Sequence, residues 1–125
     1  MRNKKPVSLL IGLAGAVPAI ALAFDLTFLD QAPIRFMSDA EIDMMEATVV
    51  ETLDKAADGE TLTWRNDDTG NSGSVTAVKS FSEGDLSCRR IEIVNQVAKA
   101  TRGSASSMMD MCQIDGSWKI LRQRP

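Results

Sequence analysis

The chain has 125 residues, contains neither His nor Tyr, and carries 14 Lys and Arg against 17 Asp and Glu. This length fits one small domain with one core. The missing imidazoles and phenols exclude Ser-His-Asp and Cys-His nucleophile systems, imidazole metal sites and tyrosine general acids. The acidic balance also disfavours a nucleic-acid partner, which would require a basic surface.

The first 23 residues have the three parts of a secretory signal peptide. A basic stretch at 1–5 precedes an apolar run at 7–20, and residues 21–23 (Ala-Leu-Ala) supply a cleavage site. We therefore predict an exported protein, periplasmic or associated with the outer membrane. The alternative is an uncleaved anchor, because the uncharged residues 6–22 nearly suffice to cross a bilayer core of about 30 Å. No Cys follows the apolar run, so a lipid-modified mature amino terminus is not predicted.

The charges of the remaining chain are segregated. Cleavage after residue 23 removes three bases and no acid, which leaves 11 bases, 17 acids and a net charge of −6. Residues 24–85 hold 14 acids and four bases, whereas residues 86–125 hold three acids and seven bases. This pattern predicts internal complementarity, in which an acidic helix and first hairpin attach to more basic later strands.

A predicted linker at 24–37 leads into a predicted amphipathic helix at 39–56. Ser38 and Glu41 have the spacing of a capping box, in which each side chain bonds to the other residue's backbone amide. Apolar residues recur along the helix at three- and four-residue intervals, at Ile42, Met45, Val49 and Leu53. Gly59 is predicted to supply the left-handed residue of the C-terminal cap.

After Gly59 the apolar period changes from about 3.6 to 2, which indicates strands. Residues 61–65 and 74–81 predict a hairpin around the turn-forming residues 66–71. Three further strands are predicted at 86–97, 107–113 and 118–122. The predicted fold class is α+β, with one amphipathic helix packed on an antiparallel sheet of about five strands.

Cys88 and Cys112 are the two cysteines of the chain. An exported protein with two cysteines most often pairs them, so we predict a disulfide. Closing this loop of 25 residues stabilises the domain by about 3.5 kcal/mol on chain-entropy grounds. A redox-active dithiol is the alternative, but it needs closely spaced thiols such as Cys-x-x-Cys.

Four short segments, in this order and spacing, resemble a known family. They are Trp64-Arg65-Asn66, residues 69–75 (Thr-Gly-Asn-Ser-Gly-Ser-Val), Cys88-Arg89, and Cys112 followed by residues 115–120 (Asp-Gly-Ser-Trp-Lys-Ile). The domain at 38–125 thereby resembles the carboxy-terminal domain of the bacterial surface-antigen family typified by the seventeen-kilodalton antigen of rickettsiae. The resemblance implies a cell-envelope protein of undefined molecular activity. Family members are often outer-membrane lipoproteins with a glycine-rich segment, and this chain lacks both the lipidation cysteine and the glycine repeat.

Two sets of oxygen-bearing residues suggest chemistry but have simpler interpretations. The loop at 66–71 offers ligands for calcium but lacks the spacing of a calcium loop, so a hairpin turn is favoured. The acids of the helix offer pairs of carboxylates for glycoside cleavage, but a solvated helix face is the favoured interpretation. These acids are Glu41, Asp43, Glu46, Glu51 and Asp54.

The methionines and tryptophans are predicted to belong to the core. Met108, Met109 and Met111 suggest soft copper ligands, but neighbouring residues of a strand face opposite sides, so packing is favoured. Trp64 and Trp118 suggest a sugar-stacking platform, but they are the bulkiest side chains available to a single core.

Four arginines are the predicted partner-binding residues: Arg89, Arg90, Arg122 and Arg124. Their partner would be an envelope protein or an anionic glycolipid, and the alternative is pairing with the domain's own acids. No catalytic residue, metal ligand or cofactor is predicted. The sequence favours a non-catalytic, exported cell-envelope protein that acts as a binding or structural module. The alternative is a periplasmic accessory subunit of a membrane complex, anchored by residues 6–22; an enzyme would have to work with carboxylates or arginine alone.

Overall fold

The computed structural model describes residues 32–100 and 103–124. The predicted signal segment or anchor and most of the predicted linker lie outside these ranges. The described chain begins with a short helix, α1 (Ala32–Arg35), in the segment predicted to be a linker. Ile34 of this helix packs against the core, which explains why the segment is ordered as a helical turn. Within the described ranges, no helix is long and apolar enough to span a membrane.

The main helix, α2 (Asp39–Lys55), begins with the predicted capping box. Ser38 Oγ accepts a hydrogen bond from the Glu41 amide at 3.2 Å, and Glu41 Oε1 accepts one from the Ser38 amide at 3.0 Å. The prediction for the other end was wrong, because Ala56 is the C-terminal cap and its backbone is extended. Gly59 does have a positive φ of 91°, but it lies in the turn that leads into the first strand.

Five strands form one antiparallel sheet, in which each strand pairs with its neighbours in sequence. They are β1 (Thr61–Arg65), β2 (Ser72–Glu83), β3 (Leu86–Gln96), β4 (Ser104–Ile114) and β5 (Ser117–Arg124). The helix α2 packs on one side of the sheet, which confirms the predicted α+β class. The last hairpin turns through Asp115 and Gly116, whose φ values are both positive, as a type I′ turn requires.

Side chains alternate along each strand, so the sheet has an inner face, which α2 covers, and an outer face on the opposite side. Residues that are paired across strands share a face. Ile91 pairs with Met109 on the inner face, whereas the neighbouring Arg90 pairs with Asp110 on the outer face. The direction of every charged side chain of the sheet follows from this register.

Bulges in β2 and β5 change which residues reach the outer face. The register shifts between Ala77 and Lys79 in β2, which makes Val78 the extra residue. In β5 the partners of Met111 and Asp110 are Ile120 and Arg122, which makes Leu121 the extra residue. A bulge reverses the alternation beyond it, so Lys79 and Arg122 lie on the outer face.

The core lies between α2 and the inner face. Its buried members are Met45, Val49, Leu53, Trp64, Val75, Ile91, Ile93, Met109, Met111 and Trp118. The burial predicted for both tryptophans and for Met45, Val49 and Leu53 is confirmed. Ile42 is only partly buried, because Glu41 takes the buried position in the first turn of the helix.

The predicted disulfide joins the two strands β3 and β4 on the outer face. Cys88 of β3 lies directly opposite Cys112 of β4, with their Cα atoms 4.0 Å apart, and the two sulfurs are bonded. Both side chains are buried. The covalent link therefore fixes the register of β3 and β4 next to the charged residues of the outer face.

Candidate functional site

Glu41, in the first turn of α2, is only 1% exposed, so the prediction that it lies on a solvated helix face was wrong. Its two carboxylate oxygens accept hydrogen bonds from four groups. These donors are the Ser38 amide, Asn66 Nδ2, Thr69 Oγ1 and Asn71 Nδ2. Three of them come from the loop between β1 and β2, so this loop surrounds a carboxylate with donors. Among the described residues, no three acidic or cysteine side chains converge as metal ligands.

The hydrogen bonds keep Glu41 ionised in spite of its burial. Burial by itself raises the pKa of this carboxyl, but the bonds from Thr69, the Ser38 amide, Asn71 and Asn66 outweigh it and lower the pKa to about 2. The helix N-terminus also favours a negative charge at this position. Hydrogen bonds from neutral donors of the loop at 66–71 to the ionised Glu41 therefore attach the beginning of α2 to the sheet.

The loop that binds Glu41 is shaped by its own polar residues. Asn71 Oδ1 accepts a hydrogen bond from the Ala98 amide at 3.0 Å, so its amide group joins the loop to the end of β3 as well as to Glu41. Asn66 Oδ1 accepts one from the Asp68 amide at 3.0 Å. Gly70 has a φ of 79°, a conformation that favours glycine. These polar residues of the family-like segments thus form hydrogen bonds within the domain.

Arg89 fastens the other end of α2. Its Nη1 donates to the carbonyls of Thr52 and Leu53 at 3.0 and 3.1 Å, and its Nη2 donates to Asp58 Oδ1 at 2.9 Å. A helix leaves its last carbonyls without helical partners, and a cation there also complements the helix dipole. The bond from Arg89 lowers the pKa of Asp58, and bonds from Ser80 add to this effect. The Arg89 side chain is 11% exposed, and it lies on the opposite face from Arg90 and Arg122.

The two tryptophans complete the attachment of the helix. Trp118 Nε1 donates to Asp54 Oδ1 at 2.8 Å. Trp64 lies across Gly73 of β2, where an added Cβ would collide with the indole nitrogen. Only glycine therefore fits beneath this ring. The family-like segments therefore contribute several of the contacts that hold α2 on the sheet.

The outer face carries a row of charged residues across β3, β4 and β5. Arg90 Nε and Nη2 donate to the two carboxylate oxygens of Asp110 at 2.7 and 3.2 Å. Arg122 Nη1 donates to Asp110 at 3.3 Å, and its Nη2 donates to Glu83 at 3.0 Å. Asp110 is fully buried between the two guanidinium groups. Its hydrogen bond raises the pKa of Arg90.

Two exposed lysines extend this row. Lys79 pairs with Arg90 across β2 and β3, and its Nζ lies 5.7 Å from the centre of the Phe81 ring. The Arg90 guanidinium lies 5.9 Å from the same ring, so both cations are placed for cation–π attraction. Lys119 pairs with Cys112, next to the disulfide. We call Lys79, Phe81, Arg90, Lys119 and Arg122 the outer basic patch.

The structure separates the four predicted contact arginines. Arg90 and Arg122 lie together in the outer basic patch, whereas Arg89 lies on the inner face. Arg124 pairs with Met108 at the end of β5, and its side chain lies beyond what the structure describes. The sequence-based prediction missed both lysines. For Lys119 a signal existed, because a buried Trp118 places the next residue of the strand on the opposite face.

Comparisons of the chain with family models, with curated proteins and with solved structures found no match. The resemblance to the surface-antigen family therefore rests on the four segments alone. The outer basic patch is formed by other residues, outside those segments except for Lys119.

Proposed function

We propose that this protein is a non-catalytic, exported cell-envelope protein, similar to the surface-antigen family, that binds another envelope component through the outer basic patch. The observation that carries the proposal is the patch itself, in which four cations and Phe81 share one face of a rigid sheet. Lys79 and Lys119 are exposed, and neither forms an ion pair with a described residue. The disulfide is compatible with export.

The chemistry of the patch favours an anionic partner, such as a carboxylate-bearing protein surface or an anionic glycolipid. Three acids share this face near the patch: Asp110 and Glu83 are bound by Arg90 and Arg122, and Glu92 accepts a hydrogen bond from Ser106. The two lysines are therefore the cations of the patch that are most available to an anionic partner, because no described acid forms an ion pair with them. Arginine and aromatic side chains are also enriched at protein interfaces.

The carboxylates of α2 support a binding role over catalysis. Glu41 is surrounded by hydrogen-bond donors that hold it ionised, so it is a poor proton donor near neutral pH. Asp43, Glu51 and Asp54 are exposed on the helix surface, and Glu46, whose pKa is raised by burial and by the charge of Asp43, lies partly buried beside Asp43 on the same helix. A glycosidase needs two carboxyl groups that face one substrate, with one of them held protonated. We therefore expect no hydrolytic turnover.

Capture of the partner from crosslinked envelopes tests the proposal. Lys119→Glu should lose the captured component while the domain keeps its melting temperature, because an exposed charge contributes about 0 to 1 kcal/mol. Lys99→Glu is the matched control, since Lys99 is also an exposed lysine and lies outside the patch. If Lys119→Glu and Lys79→Glu both capture the partner as well as the wild type does, the binding surface lies elsewhere.

The mass of the native amino terminus tests export separately. A mature chain that begins at residue 24 is expected if the signal peptide is cleaved. An intact amino terminus in the membrane fraction would instead favour the anchored accessory subunit.

A further inference from the structure

We propose that the partner that fits the outer basic patch is a second copy of this chain, which docks the exposed acidic side of its α2 there. This inference rests on the function proposed above, because it uses the same patch. The exposed side of α2 carries Asp39, Asp43 and Glu51, and Glu46 lies partly exposed beside them. A carboxylate-rich helix is the kind of anionic surface that a row of cations attracts.

The ion pairs between side chains that the structure describes join Arg65 to Asp67, Arg89 to Asp58, Arg90 to Asp110, and Arg122 to both Glu83 and Asp110. None of these pairs includes an acid of α2. The predicted attachment of an acidic helix and first hairpin to the later, more basic strands is seen in part, because Arg122 pairs with Glu83 of β2 and Arg89 pairs with Asp58. The helix itself is joined through Arg89 and its carbonyls.

Glu46 and Asp43 lie one helical turn apart on α2. Burial raises the pKa of the Glu46 carboxyl, and the negative charge of Asp43 raises it further. Two carboxylates one helical turn apart repel each other, and a cation placed beside them relieves that repulsion. The outer basic patch of a second copy would supply such cations.

The spacing of the charges on the two surfaces agrees. Asp43 and Glu51 are eight residues apart, which places them about 12 Å apart along the helix. Lys79 and Arg122 lie in one row on β2 and β5, three strand spacings or about 14 Å apart, and the exposed Lys119 neighbours Arg122 on the same face of β5. A helix laid across the strands therefore brings an acid to each end of the row. Ala47, exposed midway between the two acids, leaves room for the side chains at the centre of the patch.

One apolar contact fits the same arrangement. Met44 is 37% exposed and adjoins Asp43 on the helix. Phe81 is partly exposed among the cations of the patch. Sulfur and aromatic ring edges attract each other, so this pair adds a contact that salt does not screen.

The two surfaces lie on opposite sides of the domain, which determines the kind of assembly. Because α2 covers the inner face, its exposed side and the outer basic patch point in opposite directions. Each copy therefore offers one acidic and one basic surface, and docking is head-to-tail. A heterologous contact of this kind extends into a row of copies unless a rotation closes it into a ring.

Sedimentation velocity of the full chain at low salt, about 20 mM, and at about 300 mM tests the inference, because screening shortens the reach of exposed charges. The wild type should show an average mass that rises with concentration at low salt and falls to the monomer at high salt. Lys79→Glu with Lys119→Glu should be monomeric in both, and so should Asp43→Lys with Glu51→Lys. An equimolar mixture of the two double variants should associate again, because their reversed surfaces are complementary. Lys99→Glu is the control that should associate like the wild type.

The outcomes separate this inference from the function on which it rests. A wild type that stays monomeric at low salt overturns the inference, and so does association that reversal of the two lysines leaves unchanged. If the wild type is monomeric while envelope capture still requires Lys119, the self-association fails and the proposed binding function stands. Loss of association in the lysine variant, with recovery in the mixture, supports the inference. Melting curves of each variant exclude unfolding as the cause.

Discussion

Glu41 and Asn71 are 30 residues apart in the chain, and a hydrogen bond of 3.0 Å joins the buried carboxylate of one to the buried amide of the other. This contact joins the first turn of α2 to the loop that precedes β2. It also explains why a glutamate is favourable inside the domain, since four donors replace the water that the carboxylate loses. Removing the charge or any donor should therefore have a measurable effect on stability.

Glu41→Gln should destabilise the domain by about 1 to 3 kcal/mol, because the amide group turns one hydrogen-bond acceptor into a donor and leaves partners unpaired. The variant should also alter the pH dependence of stability. The folded carboxyl has a pKa of about 2 against an ordinary value of 4.5, so its stabilisation is complete above pH 4.5 and is lost as the pH falls towards 2. Thermal melts between pH 2 and 7 should show a smaller decline for the variant than for the wild type.

Glu51→Gln is the control for that experiment, because Glu51 is an exposed glutamate on the same helix. It should change the melting temperature little at any of these pH values. Equal effects of the two substitutions would mean that the buried cluster does not hold Glu41 in the ionised form.

Arg89→Ala should destabilise the domain by about 2 to 4 kcal/mol, because it removes the Arg89 donor from the Leu53 carbonyl and one of the two donors from the Thr52 carbonyl, and leaves Asp58 without its cation. Urea unfolding measures the loss. Arg65→Ala is the control, since Arg65 forms an exposed pair with Asp67 and should cost about 1 kcal/mol at most. A similar small effect at both positions would favour a role for Arg89 in binding a partner.

The bond between Cys88 and Cys112 should contribute about 3.5 kcal/mol, since it closes a loop of 25 residues in the unfolded chain. Unfolding of the double variant Cys88→Ala and Cys112→Ala measures this difference. Labelling of the denatured wild type without reductant should find no free thiol. Free thiols in protein isolated from its own envelope would contradict both the bond and the export that it supports.

Hydrophobic period and turn residues were sufficient to predict the class of the fold. The spacing of Met45, Val49 and Leu53 predicted the buried stripe of α2, and alternation predicted the strands, because these signals are local. The burial of Glu41 was not predictable in this way. Ser38 and Glu41 alone indicate an exposed capping box, and only the packing of the distant loop at 66–71 encloses the carboxylate.

The outer basic patch was only half predictable for a related reason. Simple alternation along β2 places Lys79 on the same face as Ala77, and along β5 it places Arg122 on the same face as Ile120. The bulges at Val78 and Leu121 reverse both assignments. A bulge adds one residue without a strong local signal, so the face of each cation depends on the register of the whole sheet. Arg89 and Arg90, adjacent in sequence, accordingly serve opposite faces.

Asp110→Asn should destabilise the domain more than any exposed substitution in the outer basic patch, because Asp110 is buried and binds both Arg90 and Arg122. Loss of its charge leaves two guanidinium groups close together without the carboxylate that separates them, so the melting temperature should fall by roughly 5 to 10 °C. Glu83→Gln is the comparison, since Glu83 binds Arg122 at a half-exposed position and should matter little. If Asp110→Asn melts like the wild type, solvent rather than Asp110 screens the repulsion between the positive charges of Arg90 and Arg122. The patch would then be held in place by the disulfide and the strand register alone.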